Sequence, residues 1–294
     1  MQLMRFTTIT DKTPVIFILL CLPAIAAQQL AFVHASAAPA KKVTGGKEIK
    51  GGKESGTTKE AERLFGQGKF AEAISLYEKA LQKEGNLYAA YKLGEIEEEG
   101  LAGKQDLEKA KSYFEKGAKG GEPNCAYGLA GLLDKQDSKM PSSQTIYWLT
   151  RAADGGVIDA QRKLGSLYSR GKNNIGNDKL CFKYRRMAAD QGDRRNAYKV
   201  GMLLLKGQGV EKDAQKAAFY LKKAASDNIE ACQILHRLYT TGEKGLPADA
   251  KQAEQWRLAA NNLLKQEKED NGAILDSLHK DKYDTSGINY LRRR

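Results

Sequence analysis

Histidine is scarce in this chain of 294 residues, with three in all, and cysteine numbers only four. Cys21 lies near the N-terminus, while Cys125, Cys181 and Cys232 stand far apart. An odd number of separated cysteines makes a poor disulfide framework, and a zinc centre needs four clustered ligands that no stretch of this sequence supplies. A phosphate-binding glycine loop between a strand and a helix is also missing, as is an S-x-x-K motif with its companions. Pro23, Gln28 and Gln29 interrupt the N-terminal apolar stretch, which therefore falls short of the roughly 20 residues a membrane-spanning helix needs. These absences predict no catalytic residue, no cofactor and no metal, so the chain reads as a non-enzyme.

The first 37 residues have the form of a secretory signal peptide, with Arg5 and Lys12 ahead of an apolar run from Pro14 to Leu22. Small-x-small signals place cleavage after Ala37, or alternatively after Ala26. An uncleaved anchor is the other reading. Residues 38–58 are mostly Lys, Gly, Ser and Thr with almost no large apolar side chain, which predicts a flexible basic linker. The net charge is +12 and the pI about 9.3. Much of the excess lies in Lys41, Lys42, Lys47, Lys50 and Lys53 and in the closing Arg292-Arg293-Arg294. Such ends would attract an acidic protein or an anionic membrane surface, and solvated tails are the plainer reading.

Between these ends the sequence repeats. Aromatic residues recur at Tyr77, Tyr113, Trp148, Tyr184, Tyr220 and Trp256, each 35 or 36 residues after the last. Three residues before each ring, and four after it, most side chains are small, so the three positions form one helical stripe. The expected packing has the ring as a knob with small neighbours making room for it. A second column, Leu93, Leu129, Leu164, Val200 and Leu235, is followed directly by Gly94, Ala130, Gly165, Gly201 and His236. It marks the first helix of each pair, and His236 predicts different packing in the last pair. A third column, Gly85, Gly121, Gly156, Gly192 and Asn228, is expected to end each second helix with a positive φ. Asp213 and Asp249 stand where helix N-caps belong. Cys125, Cys181 and Cys232 replace alanines and are expected to be buried. Glu97, Glu98 and Glu99 read as a solvated face.

These columns resemble the Sel-1-like repeat family, relatives of tetratricopeptide repeats with a longer inter-helix loop. Ala160-x-x-x-Leu164-Gly165-x-x-Tyr168-x-x-Gly171 matches the first part of the family pattern. Gly207-x-Gly209-Val210-x-x-Asp213, followed by Lys216-Ala217-x-x-Tyr220-x-x-x-Ala224-Ala225, matches the rest. Residues 59–88 fit an ordinary tetratricopeptide unit with a tight turn at Gln67-Gly68-Lys69, and Pro141-Ser142-Ser143 replaces the G-x-G loop in one unit. The resemblance implies an all-α solenoid of about six helix-turn-helix repeats over 59–264, then a capping helix and basic tail over 265–294. It further implies an exported bacterial scaffold, periplasmic or secreted, that binds a protein or peptide on its concave face. On that face the resemblance places Lys92, Glu95, Arg162, Lys163, Lys199 and Arg237 as the partner-binding residues. Their mixed charge favours a protein over a nucleic acid. A cell-wall or β-lactam-related envelope enzyme or accessory, and a polyanion or membrane-surface binder, are the alternatives. Some exported family members with paired cysteines are associated with β-lactam chemistry, but this chain lacks those pairs.

Overall fold

The computed structural model describes residues 55–136, 140–170 and 175–283, with side chains as far as 271. The segment read as a signal peptide, most of the segment read as a basic linker and the terminal arginines lie outside the described residues. Among the described residues every named element is a helix, twelve in number: α1 (Gly56–Gly66), α2 (Phe70–Lys83), α3 (Leu87–Glu99), α4 (Leu107–Gly120), α5 (Pro123–Gln136), α6 (Ser143–Asp154), α7 (Ile158–Leu167), α8 (Asp178–Asp190), α9 (Arg194–Lys206), α10 (Ala214–Ala224), α11 (Ile229–Thr241) and α12 (Ala250–Tyr283). They form six helix pairs in two units, one ending at Ala89 and the other beginning at Ala90.

In the first unit α1 packs on α2 around Ala61, Leu64, Ala73, Tyr77 and Ala80. Gly68 makes the expected tight turn between them with φ +74°. Helix α1 begins inside the segment read as linker. Ser55 caps it by accepting the Thr58 N–H at 3.1 Å, and buried Thr58 accepts a hydrogen bond from Asn86 Nδ2 at 3.0 Å. These polar bonds hold a helical start that apolar content alone does not announce.

In the second unit each helix from α4 onward packs on its chain neighbours, the stacking of a solenoid. Five second helices carry an N-cap whose side-chain oxygen accepts an N–H three residues on: Asp106, Ser142, Asn177, Asp213 and Asp249. Four of these residues also donate their own N–H to the last turn of the preceding helix. Asp106 reaches the Glu97 carbonyl at 3.0 Å, Asn177 that of Tyr168 at 2.9 Å, Asp213 that of Leu204 at 3.2 Å and Asp249 that of Tyr239 at 2.8 Å. One residue thus closes the loop and starts the next helix, which satisfies orphan groups at both helix ends.

The core shows who fills whose space. In three second helices the residue after the ring lies deeper than the ring, namely Phe114, Leu149 and Leu221, and Arg185 at the same position is also buried. Tyr113, Trp148 and Trp256 are only half-buried, whereas Tyr77, Tyr184 and Tyr220 are buried. A Cβ added at Gly94 would lie 2.3 Å from Phe114, one at Gly165 2.9 Å from Arg185 Cγ, and one at Gly201 2.7 Å from Leu221. The first-helix glycines therefore receive the residue beside the ring, not the ring itself. The small residue one turn after the ring faces the next pair: a Cβ at Gly117 would meet Cys125 Sγ at 2.2 Å. Cys125, Cys181 and Cys232 are buried free thiols, as their columns predict. Burial, helped by Glu122, pushes the Cys125 thiol well above its ordinary range.

The glycine column holds for Gly85, Gly121, Gly156 and Gly192, with φ between +66° and +100°. Asn228 departs from it. Its φ is −129°, and its side chain caps α11 by accepting the Ala231 N–H at 2.8 Å. One residue fewer separates the ring from the next leucine here, Tyr220 to Leu235, so the residue aligned with the glycines has become the next N-cap. His236 packs differently, as expected: its Nδ1 lies 2.9 Å from the Ala253 carbonyl of the neighbouring helix. Arg257, at the position after the ring, is exposed and pairs with Glu254 at 2.7 Å. Finally, α12 runs unbroken from Ala250 to Tyr283, so no separate capping helix begins after Leu264.

Candidate functional site

Relative to the leucine column, the six residues picked from the sequence occupy offsets of −2, −1 and +2 on their helices. Those offsets fall on one helical face. The structure gives the six different occupations.

Lys92 and Glu95 pair with each other on α3, and the Lys92 ammonium lies 5.6 Å from the Tyr91 ring centroid. Lys163 on α7 reaches back to Asp134 on α5 at 2.7 Å. Arg162 bridges Asp159 on its own helix, at 2.8 Å, and Asp193, the N-cap of α9. These two side chains therefore belong to a set of polar links between successive pairs. Others are Lys183–Asp154 at 3.0 Å, Arg194–Asp227 at 3.0 Å, Tyr198 donating to Glu230 at 2.7 Å and Tyr220 donating to Asp190 at 2.8 Å. Each exposed link is worth little alone, about 0–1 kcal/mol. Their recurrence fixes how one pair sits on the next.

Lys199 on α9 and Arg237 on α11 are exposed and make no side-chain hydrogen bond or ion pair among the described residues. Burial of the Lys199 stem, then Arg185 and Arg195 nearby, hold its ammonium pKa below the usual lysine value. The acidic knot is neutralised from outside its helix: Glu97 pairs with Lys109, and Glu98 with Lys135 at 2.8 Å.

Sequence reasoning misses Arg185. It occupies the core position that Phe114, Leu149 and Leu221 fill in neighbouring pairs, and it is 7% exposed. Its Nε donates to Cys181 Sγ at 3.1 Å and its Nη1 to Asn196 Oδ1 at 3.2 Å. Asn196 Nδ2 in turn donates to Asp193 Oδ2 at 3.1 Å. The signal available in the sequence is a charged residue between the apolar Leu149 and Leu221 of the same register.

The ring column contributes Tyr220 to one open cleft of about 410 Å³, shared with Phe182, Leu204, Val210 and Lys216, and Trp148 to another of about 220 Å³, shared with Lys111, Glu115 and Gln144. Tyr184 of the column is packing: Tyr168 stacks on it with centroids 6.0 Å apart, and burial pushes the Tyr168 phenol up to about 12. Among the described residues no three His, Cys, Asp or Glu gather as a metal site would need. No helix among them is long and apolar enough to cross a membrane.

The Sel1 repeat family model matches residues 87–122, 126–157, 158–193, 197–228 and 237–261. The chain is 30% identical over 182 residues to rat DAP3-binding cell death enhancer 1, covering 60% of this chain and 35% of that one. It is 33% identical over 121 residues to the chitin synthase regulator SKT5 of Saccharomyces cerevisiae, covering 40% of this chain and 17% of that one. The chain thus spans about a third or less of either curated relative. A solved Sel1 repeat protein from Oxalobacter formigenes superposes with a TM-score of 0.54 at 24% identity, covering 69% of this chain and 84% of that one. That likeness concerns the fold.

Proposed function

From the premise that this chain belongs to the Sel1 repeat family, whose members are generally protein-interaction scaffolds, we propose that it is an exported bacterial adaptor, periplasmic or secreted. It holds a protein or peptide partner on the face carried by its first helices, the concave side expected of a solenoid. The observation that carries this reading is the run of five family repeats over residues 87–261. The names of the two curated relatives, a binding protein and a regulator, support it, since each describes action on another protein. Lys199 and Arg237 are the strongest partner contacts of the six, because Arg162 and Lys163 already direct their charge to neighbouring pairs. The basic leader and linker support export.

Charge reversal tests the surface. Lys199→Glu with Arg237→Glu is expected to lower partner capture from an envelope extract about ten-fold while leaving the melting temperature within a degree or two, since exposed unpaired charges contribute little to stability. Undiminished capture of every partner would remove that face from consideration. For export, the mature protein from the periplasm or medium is expected to begin at Ala38. Recovery of the full-length chain only from the cytoplasm would refute the localisation. Turnover of nitrocefin or release of muropeptides by the purified protein would overturn the non-catalytic reading.

A further inference from the structure

Arg185 sets a problem in electrostatics. A guanidinium cannot shed its charge at any ordinary pH, and it has five N–H donors. Two of these are used here, one on a thiol sulfur, a weak acceptor, and one on an amide oxygen. No carboxylate lies within ion-pair distance of Arg185 among the described residues. Burying an unpaired charge is costly, and the same position holds Leu149 and Leu221 in the pairs on either side.

The surroundings add positive charge. Lys199 stands one turn after Asn196 on α9, so the guanidinium that reaches Asn196 lies beside the Lys199 stem. Among the described residues Lys199 makes no ion pair, although Asp193 is near enough to favour its charged form, and Arg195 is a further exposed neighbour. The one buried acid of the cluster, Asp193, is shared between Arg162 and the Asn196 amide. The cluster therefore offers one buried and one exposed cation with coordination to spare.

We propose that Arg185 and Lys199 together receive a carboxylate from the protein or peptide partner, an Asp or Glu side chain or a chain terminus. Planar guanidinium matches carboxylate geometry in two-point contact, and the partly desolvated setting strengthens the pair relative to water. This site deepens the scaffold reading and rests on it.

The substitution that tests it is supplied by the repeat itself. Arg185→Leu installs the residue of the neighbouring pairs, so the variant is expected to fold with an unchanged or higher melting temperature. Peptides selected from a random displayed library on the purified wild-type chain are expected to share an acidic residue. Their affinity should fall roughly ten-fold or more in Arg185→Leu, in Lys199→Ala, and when the peptide acid is changed to its amide. A terminal carboxylate is distinguished from a side chain by amidating the peptide end. Selected peptides without an acid, or bound equally by Arg185→Leu, would overturn this site while leaving the scaffold intact. Failure to select any peptide or protein ligand would count against the scaffold reading as well. Arg185-dependent binding of a single-stranded oligonucleotide with no acidic peptide bound would overturn the assignment in favour of phosphate. A fall of many degrees in the melting temperature of Arg185→Leu with peptide affinity intact would make the arginine structural.

Discussion

Gly209→Ala is expected to be among the most damaging single methyl additions in the second unit, lowering stability by about 3 kcal/mol. Two costs combine. Gly209 has φ +74°, a conformation that costs a residue with a Cβ about 1 kcal/mol or more. The added Cβ would also fall 2.1 Å from the Asp178 carbonyl oxygen and 2.9 Å from the Lys179 nitrogen. Both are backbone atoms at the start of α8, and they cannot swing aside, so overpacking adds about 1–3 kcal/mol. The G-x-G loop is thus a close seat for the preceding pair as well as a flexible turn. Gln208 fastens the same contact through Asp178 at 2.9 Å. Gly245→Ala separates the two costs, because Gly245 has φ +83° and an added methyl there would meet nothing within 4 Å. It should lose about 1 kcal/mol. Denaturant melts of both variants, with hydrogen exchange over α8 to α10, provide the comparison, and equal losses would refute the seating contact.

Phe114→Ala should cost about 3–5 kcal/mol, the usual range for emptying an aromatic core site. Phe114 is 1% exposed and fills space that Gly94 and Gly128 both leave open. Gly94→Ala on its own should cost about 1–3 kcal/mol through overpacking against the ring. Made together, the two changes should lose less than their sum by about 1–3 kcal/mol, since the methyl enters the space the ring vacates. Strict additivity in this cycle would mean that Gly94 is glycine for another reason. Because repeat arrays can unfold in parts, both amide exchange near α3 and α4 and the global melt should be followed.

Much of the fold is legible in the sequence because a solenoid writes the same sentence repeatedly. The ring column locates the second helices, the leucine column the first, and Gly68, Asp213 and Asp249 their turns and caps. The wider N-cap column of Asp106, Ser142 and Asn177 stands at the same spacing but is hidden by chemical variety, since three residue types perform one hydrogen bond. Periodicity also tells which residues share a face without telling which of them meet across a repeat. Hence the ring reads as the deepest knob although Phe114, Leu149 and Leu221 go deeper than theirs, and Asn228 reads as a helix end although one residue fewer after the ring makes it a helix start. The same limit governs the candidate surface. Lys163 shares its offset with Lys199 and Arg162 stands one residue away on the same face, and only the position of Asp134 and Asp193 about 30 residues away separates them from it. Arg185 is the reverse case, a residue whose counterparts in the adjoining pairs, Leu149 and Leu221, are apolar and whose own chemistry does not comply.

The clasp in which one residue bonds back to the helix before it and caps the helix after it has an evolutionary reading. Four connections are closed in this way by atoms of their own helix pair. A duplicated stretch of 35 or 36 residues would carry its fastenings with it and meet surfaces already shaped to receive a copy. Growth by whole modules then requires few new inventions, and individual modules are left at liberty to specialise, as the one bearing a buried arginine has done.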